Sequence, residues 1–263
     1  MPFEKYGYLG TQILDKKKEN TKENMELFDI GMDTLKLAYD IMYSSNITND
    51  DYKKVIVFAL YCKIVESYNS TVLLSNYGLL SDSRSMLRVF IESVFIFSGI
   101  INDESLYDQF IIKGDYETYE LIKRVNKNPN EYTEELKKYC DNFDCDRLEC
   151  KVSKYKKENF YARILAEKAN MNDVYYYVYH QLCEDVHTNV RSLRSYIDWS
   201  NNDIVGLNPL PKYTDQSYVL VTVIWIMLRA LKDLDSFAGL ATREMINSIE
   251  VKLKPHFKTS VNT

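Results

Sequence analysis

Apolar residues recur along most of this chain three or four positions apart, the spacing of one face of an α-helix. Leu27, Ile30, Leu35, Leu37, Ile41 and Met42 predict a first helix over 16–43. Asn49-Asp50-Asp51 reads as the start of a second, running to about Tyr77, with Gly78 placed to end it. Ser81 or Asp82 can cap a third, to about Ile101, and Asn102-Asp103-Glu104 opens a fourth that Pro129 stops. Two Lys- and Glu-rich helices follow over 131–149 and 153–170. Asn172 or Asp173 caps a long helix through Tyr196, and 199–213, with Gly206, Pro209 and Pro211, reads as a loop. Thr214 or Asp215 caps a last apolar helix to about Phe237, and a short one reaches Lys254. The pattern predicts one all-α domain over 1–263. Its centre is a buried helix at 83–101, packed against 55–75 and 173–196, with a polar helical excursion over 103–170.

Composition agrees with that class. The chain has 263 residues, 46% hydrophobic and 27% charged, with only 8 Gly and 5 Pro. So few turn-formers disfavour a many-stranded sandwich or barrel. A net charge of −5 gives no overall attraction to nucleic acid or anionic lipid, although a local basic patch stays open. The start, Met1-Pro2-Phe3-Glu4-Lys5, lacks the features of a secretory signal, and the longest apolar run, Tyr218 to Leu228, is eleven residues. A cytoplasmic protein with no membrane partner is the expectation. The five cysteines are odd in number, and Cys140, Cys145 and Cys150, five apart, turn about 500° per step on a helix, so they fan out. Reduced thiols, no metal and no cofactor are expected.

Lysine is the default cation, since only nine of the 33 basic residues are Arg. Yet no Lys occurs between Lys63 and Lys113 or between Lys168 and Lys212, which marks both segments as withdrawn from water. The first gap holds Arg84, Arg88 and Glu92, a stripe at i, i+4, i+8 on a helix otherwise apolar nearly all round. An unpaired charge there is costly, so Arg88 and Glu92 are expected to be largely buried, each against an opposite charge. Glu66, Asn69 and Ser70 on the preceding helix are candidate neighbours. The second gap holds His180, Glu184, His187, Arg191 and Arg194 at steps of 4, 3, 4 and 3. These span a sector about 80° wide.

Three readings of the stripes stand side by side. They are the wet face of an amphipathic helix. Or they are a structural network pairing Arg88 and Glu92 with Glu184 and Arg191. Or they line a ligand or catalytic cleft, with His187, Glu184 and Arg191 catalytic and Arg84, Arg88, Glu92, His180 and Arg194 binding ligand or phosphate.

Residues carry two resemblances. Lys63, Ser70, Tyr77-Gly78, the Arg84-Ser-Met-Leu-Arg88-x-x-x-Glu92 stretch, Tyr175-x-x-x-Tyr179 and Leu182-Cys183-x-x-x-His187 resemble an uncharacterised family of bacterial and archaeal all-helical proteins, a domain of unknown function, over roughly 58–196. That likeness implies a helical fold. The paired charged helices also resemble the HEPN group of α-helical domains, many of them dimeric ribonucleases of defence and toxin systems. Their hallmark places an Arg four to six residues before a His, whereas here His187 precedes Arg191. The resemblance implies a nucleic-acid-processing effector in which His187 acts as base or acid and Arg88 and Arg191 clamp phosphate. Its partners would be RNA or a nucleotide, and a second copy of the chain or a protein encoded beside it. The alternative is a noncatalytic binding or scaffold protein.

Overall fold

The computed structural model of the chain describes residues 2–45, 47–48, 51–128, 130, 133–186, 190–200 and 203–258, with the side chains of residues 4, 184–186 and 191 outside that description. The fold is all-α with one small two-stranded hairpin. The helices are α1 (Ile13–Glu23), α2 (Met25–Ser44), α3 (Tyr52–Asn76), α4 (Leu80–Asn102), α5 (Glu104–Lys127), α6 (Glu134–Cys140), α7 (Cys145–Val152) and α8 (Ala162–Lys168). A π-helical turn at Tyr175–Tyr179 leads into α9 (His180–Val186). After a short turn at Val190–Leu193 come β1 (Ile197–Ser200) and β2 (Asp203–Leu207), then α10 (Gln216–Ala238) and α11 (Arg243–Leu253).

Helix α4 is the centre, as the apolar pattern predicts. Leu87, Phe90, Ile91, Val94, Phe95, Phe97 and Ile100 are all buried, and α3, α8, α9 and α10 pack around them. By length and composition α4 could cross a membrane, but it is the helix the others enclose. Two tyrosines join α3 to α2 through the core: Tyr61 donates to the Ala38 carbonyl at 2.8 Å and Tyr68 to that of Gly31 at 2.9 Å. A separate small core of Ile122, Val125, Cys140 and Leu148 holds the excursion α5–α7 together.

Local chemistry explains the boundaries. Asp51 and Asp103 cap α3 and α5 by accepting from the Lys54 and Ser105 amides. The α3–α4 turn is a Schellman motif. The Leu79 amide donates to the Leu74 carbonyl and the Gly78 amide to that of Ser75, with Gly78 at φ +72°.

Several expectations need correction. The first helix breaks at Asn24, whose amide Nδ2 donates to Gln216 Oε1 of α10 at 2.9 Å as well as to Asn20 Oδ1 at 3.3 Å one turn back. Helix α4 starts at Leu80 with no side-chain cap, not at Ser81 or Asp82. The span 131–149 is two short helices, α7 being started afresh by Asp144, which accepts from the Arg147 amide. The long helix through Tyr196 is interrupted by the π-turn and gives way to 3-10 geometry at Arg194–Tyr196. The loop over 199–213 contains a hairpin in which Ile197 faces Leu207 and Trp199 faces Ile204, with an irregularity that leaves Val205 as the extra residue. The second lysine gap does not mark withdrawal from water: Tyr177, Trp199, Ile204, Val205 and Leu207 are exposed.

Candidate functional site

The first stripe resolves into a triangle rather than a chain of cross-helix ion pairs. Arg88 Nη2 lies 3.2 Å from Glu92 Oε1, one turn on along α4. Tyr179, the last residue of the π-turn, stands over both. Its hydroxyl accepts from Arg88 Nη2 at 3.1 Å and donates to Glu92 Oε1, while the guanidinium lies 5.2 Å from the ring centroid. A π-turn carries one extra residue per turn. Here it brings Tyr179 inward, stacked on Tyr175 at 5.7 Å and against Phe95 at 5.9 Å. Burial, then the bond to Glu92, pushes the Tyr179 phenol up to about 12, so it stays a donor at neutral pH. Burial opposes the charge on Arg88, but the Tyr179 contact and then Glu92 outweigh it and raise its pKa.

The expected burial of this pair holds for Arg88, whose side chain is 18% exposed, and only in part for Glu92, at 41%. Glu66, Asn69 and Ser70 do not meet the stripe. They line a shallow groove with Tyr39 and Met42 of α2, and Asn69 Nδ2 donates to the Tyr39 hydroxyl at 3.1 Å. In the second stripe, His180 is exposed with its ring 6.4 Å from that of Tyr175, and Arg194 is exposed beyond α9. His187 lies outside the described residues, as do the side chains of Glu184 and Arg191, so the expected pairing of Arg88 and Glu92 with Glu184 and Arg191 also lies outside them.

Arg84, the third member of the first stripe, serves a different place. It stands 3.7 Å from Asp215, the residue before α10, and both line two adjoining cavities. One is a groove of about 720 Å³ between the π-turn and α10. Tyr177, Val178 and Gln181 form one wall, Tyr218, Val221, Thr222 and Trp225 the other, and Phe257 reaches in from the chain's last described turn. The Trp225 and Phe257 rings meet edge to face at 6.0 Å, and Arg229 lies 5.4 Å from the Trp225 ring centroid. Burial raises the Tyr218 phenol, with Arg84 opposing.

The other cavity, about 270 Å³, is polar. Tyr8, Asp82, Ser192, Ser195, Lys212 and Thr214 line it beside Arg84 and Asp215. Its floor is pinned by backbone: the Lys212 amide donates to the Gly78 carbonyl at 2.9 Å and the Tyr8 hydroxyl donates to the same oxygen at 3.3 Å. Lys212 Nζ donates to the Ser195 carbonyl and lies 3.9 Å from the Tyr196 ring centroid. Burial lowers its pKa, with the Asp198 carboxylate opposing.

A family profile matches residues 54–204, more than half of the chain. The chain belongs to DUF5677, a family of unknown function. No curated protein and no solved structure matches it. The DUF5677 span begins in the first turn of α3 and contains α4, the π-turn and α9, and therefore the whole Arg88–Tyr179–Glu92 triangle. It ends inside β2, so Lys212, Asp215 and the α10 wall of the groove lie beyond it.

Sequence reasoning offers the tyrosines from Tyr175 to Tyr179 as base stackers only behind a packing role, and it does not reach Tyr218, Trp225, Lys212 or Asp215 as site residues. The signal available was Lys212, the residue that closes a lysine-free run directly after Pro211. Among the described residues no group of three or more His, Cys, Asp or Glu is placed to hold a metal ion.

Proposed function

We propose that this DUF5677 chain is a cytoplasmic helical binding protein. Arg88 and Glu92 of its first charged stripe are structural, and the groove beside them, with Arg84 at one end, takes a planar ring, the base of a nucleotide or of RNA. The observation that carries the reading is the aromatic groove with the Arg84–Asp215 pair at one end. Ligand sites are mostly apolar clefts of roughly 300–1,000 Å³ with a few placed polar groups, and aromatic walls stack bases of any sequence. The triangle supports the structural half of the reading. Arg88 Nη2 and Glu92 Oε1 are engaged with each other and with Tyr179, which supports a role in holding α4 to the π-turn.

The test is a fluorescence titration of the full chain carrying Trp199→Phe, so that Trp225 is the one remaining indole. Each of the four ribonucleosides is added in turn. Saturable quenching by at least one of them, abolished by Tyr177→Ala, is the expected result. Quenching by none of them overturns the reading.

A second reading follows from α9, the helix that carries the start of the second stripe, packing directly on α4. In it the chain is a HEPN-like nucleic-acid-processing effector of a defence or toxin system. His187 is base or acid, Glu184 orients it, and Arg191 clamps phosphate. Proton transfer of that kind is worth ~10²–10⁴ in rate. A folded His187→Gln protein that loses RNA cleavage and toxicity or phage protection in cells supports this reading. One that keeps both removes it.

A further inference from the structure

The two cavities meet at Arg84 and Asp215, and their linings differ in kind. The groove is walled by Tyr177, Tyr218, Trp225 and Phe257. The polar pocket is lined by Lys212, Ser192, Ser195, Thr214 and Arg84, with Asp82 and Asp215 beside them. One small molecule that fills both must have a flat apolar ring at one end, hydroxyls in the middle and an anion at the other. We propose that the pair of cavities is a single binding site for a ribonucleoside 5′-monophosphate. This rests on the reading of the groove as a base site and names the rest of the ligand.

The assignment follows the chemistry from end to end. The base lies in the aromatic groove, where Gln181 and Thr222 offer hydrogen bonds to its edge. The ribose spans the junction. There Asp215 is half-exposed and held by Arg84 at only 3.7 Å, so its carboxylate has lone pairs left to accept from sugar hydroxyls. The phosphate reaches the polar pocket. Lys212 is a half-buried ammonium that donates to the Ser195 carbonyl and lies against the Tyr196 ring, while the Asp198 carboxylate acts on it only from beyond ion-pair distance. A phosphate oxygen supplies a direct anionic contact. Asp82, the other carboxylate in this lining, is exposed on the first turn of α4 and keeps its own access to water. Whole-molecule charge favours a mononucleotide over a strand. At −5 the chain repels a polyanion, whereas a single phosphate meets the local field of Arg84 and Lys212, with Asp82 and Asp215 in the same lining.

Calorimetric titration of the full chain tests this with three kinds of probe. They are the four ribonucleosides, their 5′-monophosphates, and pentaribonucleotides bearing a 5′-hydroxyl. At least one 5′-monophosphate should bind about tenfold or more tightly than its own nucleoside. Lys212→Met should shrink that preference below about threefold, and Lys212→Arg should restore it. Circular dichroism confirms that each variant is folded. Equal affinity for nucleoside and monophosphate in the wild type overturns the proposal while the groove reading survives. So does a full preference in folded Lys212→Met, or a pentanucleotide that binds more tightly than any mononucleotide. Binding of none of the probes overturns both readings together.

Discussion

Tyr179 does with one hydroxyl what the sequence pattern assigns to a network of charges. It accepts from Arg88 and donates to Glu92, and its ring closes the core against Phe95. Tyr179→Phe keeps the ring and removes both bonds. Hydrogen bonds to charged groups are worth ~1.5–3 kcal/mol, and the exposure of Glu92 brings the sum down, so the loss should be about 1–2 kcal/mol in urea denaturation. A variant as stable as the wild type would show the triangle to be decoration. The 41% exposure of Glu92 likewise lowers the cost of Arg88→Ala below that of a fully buried pair. The cysteines separate by burial. Cys62, Cys145 and Cys150 are exposed, and burial raises the thiol of Cys140 in the small core of the excursion. A thiol reagent on the native protein should label those three well before Cys140, read by peptide mapping. Cys140 labelled among the first would contradict the packing of that core.

At the scale of elements, the sequence is most legible where a side chain or a glycine must serve its own backbone. Asp51, Asp103 and Gly78 each mark a true boundary. Legibility fails where a distant partner decides. The Asn24 break is settled by Gln216 of α10, and the π-turn by the demand of Arg88 and Glu92 for Tyr179. The hairpin is faint in the sequence: its two strands are only four and five residues long, and Gly206, Pro209 and Pro211 give the stretch the composition of a loop.

Two predictions belong to the elements. At Gly78 a methyl group would lie 2.7 Å from Pro211 Cβ and 2.8 Å from the Tyr213 ring, on a backbone at φ +72°. Gly78→Ala should therefore cost about 2 kcal/mol or more in urea denaturation. A cost under about half a kcal/mol, the range of a neutral surface change, would contradict this geometry. Asp103 bonds Lys168 and caps α5, which lowers its pKa from 3.8 to about 2. A carboxylate held lower in the folded than in the unfolded state contributes stability that is present above about pH 4 and lost as pH falls towards 2. The urea midpoint of Asp103→Asn should be below that of the wild type at pH 6 and should converge on it over that window. Parallel curves would sink the assignment.

On the scale of the whole molecule, the division of labour is between a seam that holds and a groove that binds. The seam lies within the DUF5677 span and was legible as charge on apolar helices. The groove was not, because its walls are aromatic residues from segments some forty positions apart, each of which reads locally as core. What shows them as a site is their meeting beside Arg84 and Asp215, which is tertiary. The most direct test is the melting temperature of Tyr179→Phe and Trp225→Leu, each with and without a saturating ribonucleoside. Bound ligand stabilises the folded state in proportion to the logarithm of its excess over Kd, and each kcal/mol is worth about 2–4 °C at this size. The account predicts that Tyr179→Phe starts lower and keeps the full ligand-induced rise of the wild type, and that folded Trp225→Leu loses it. A rise that survives in Trp225→Leu and vanishes in Tyr179→Phe would place the binding site on the seam and contradict the account.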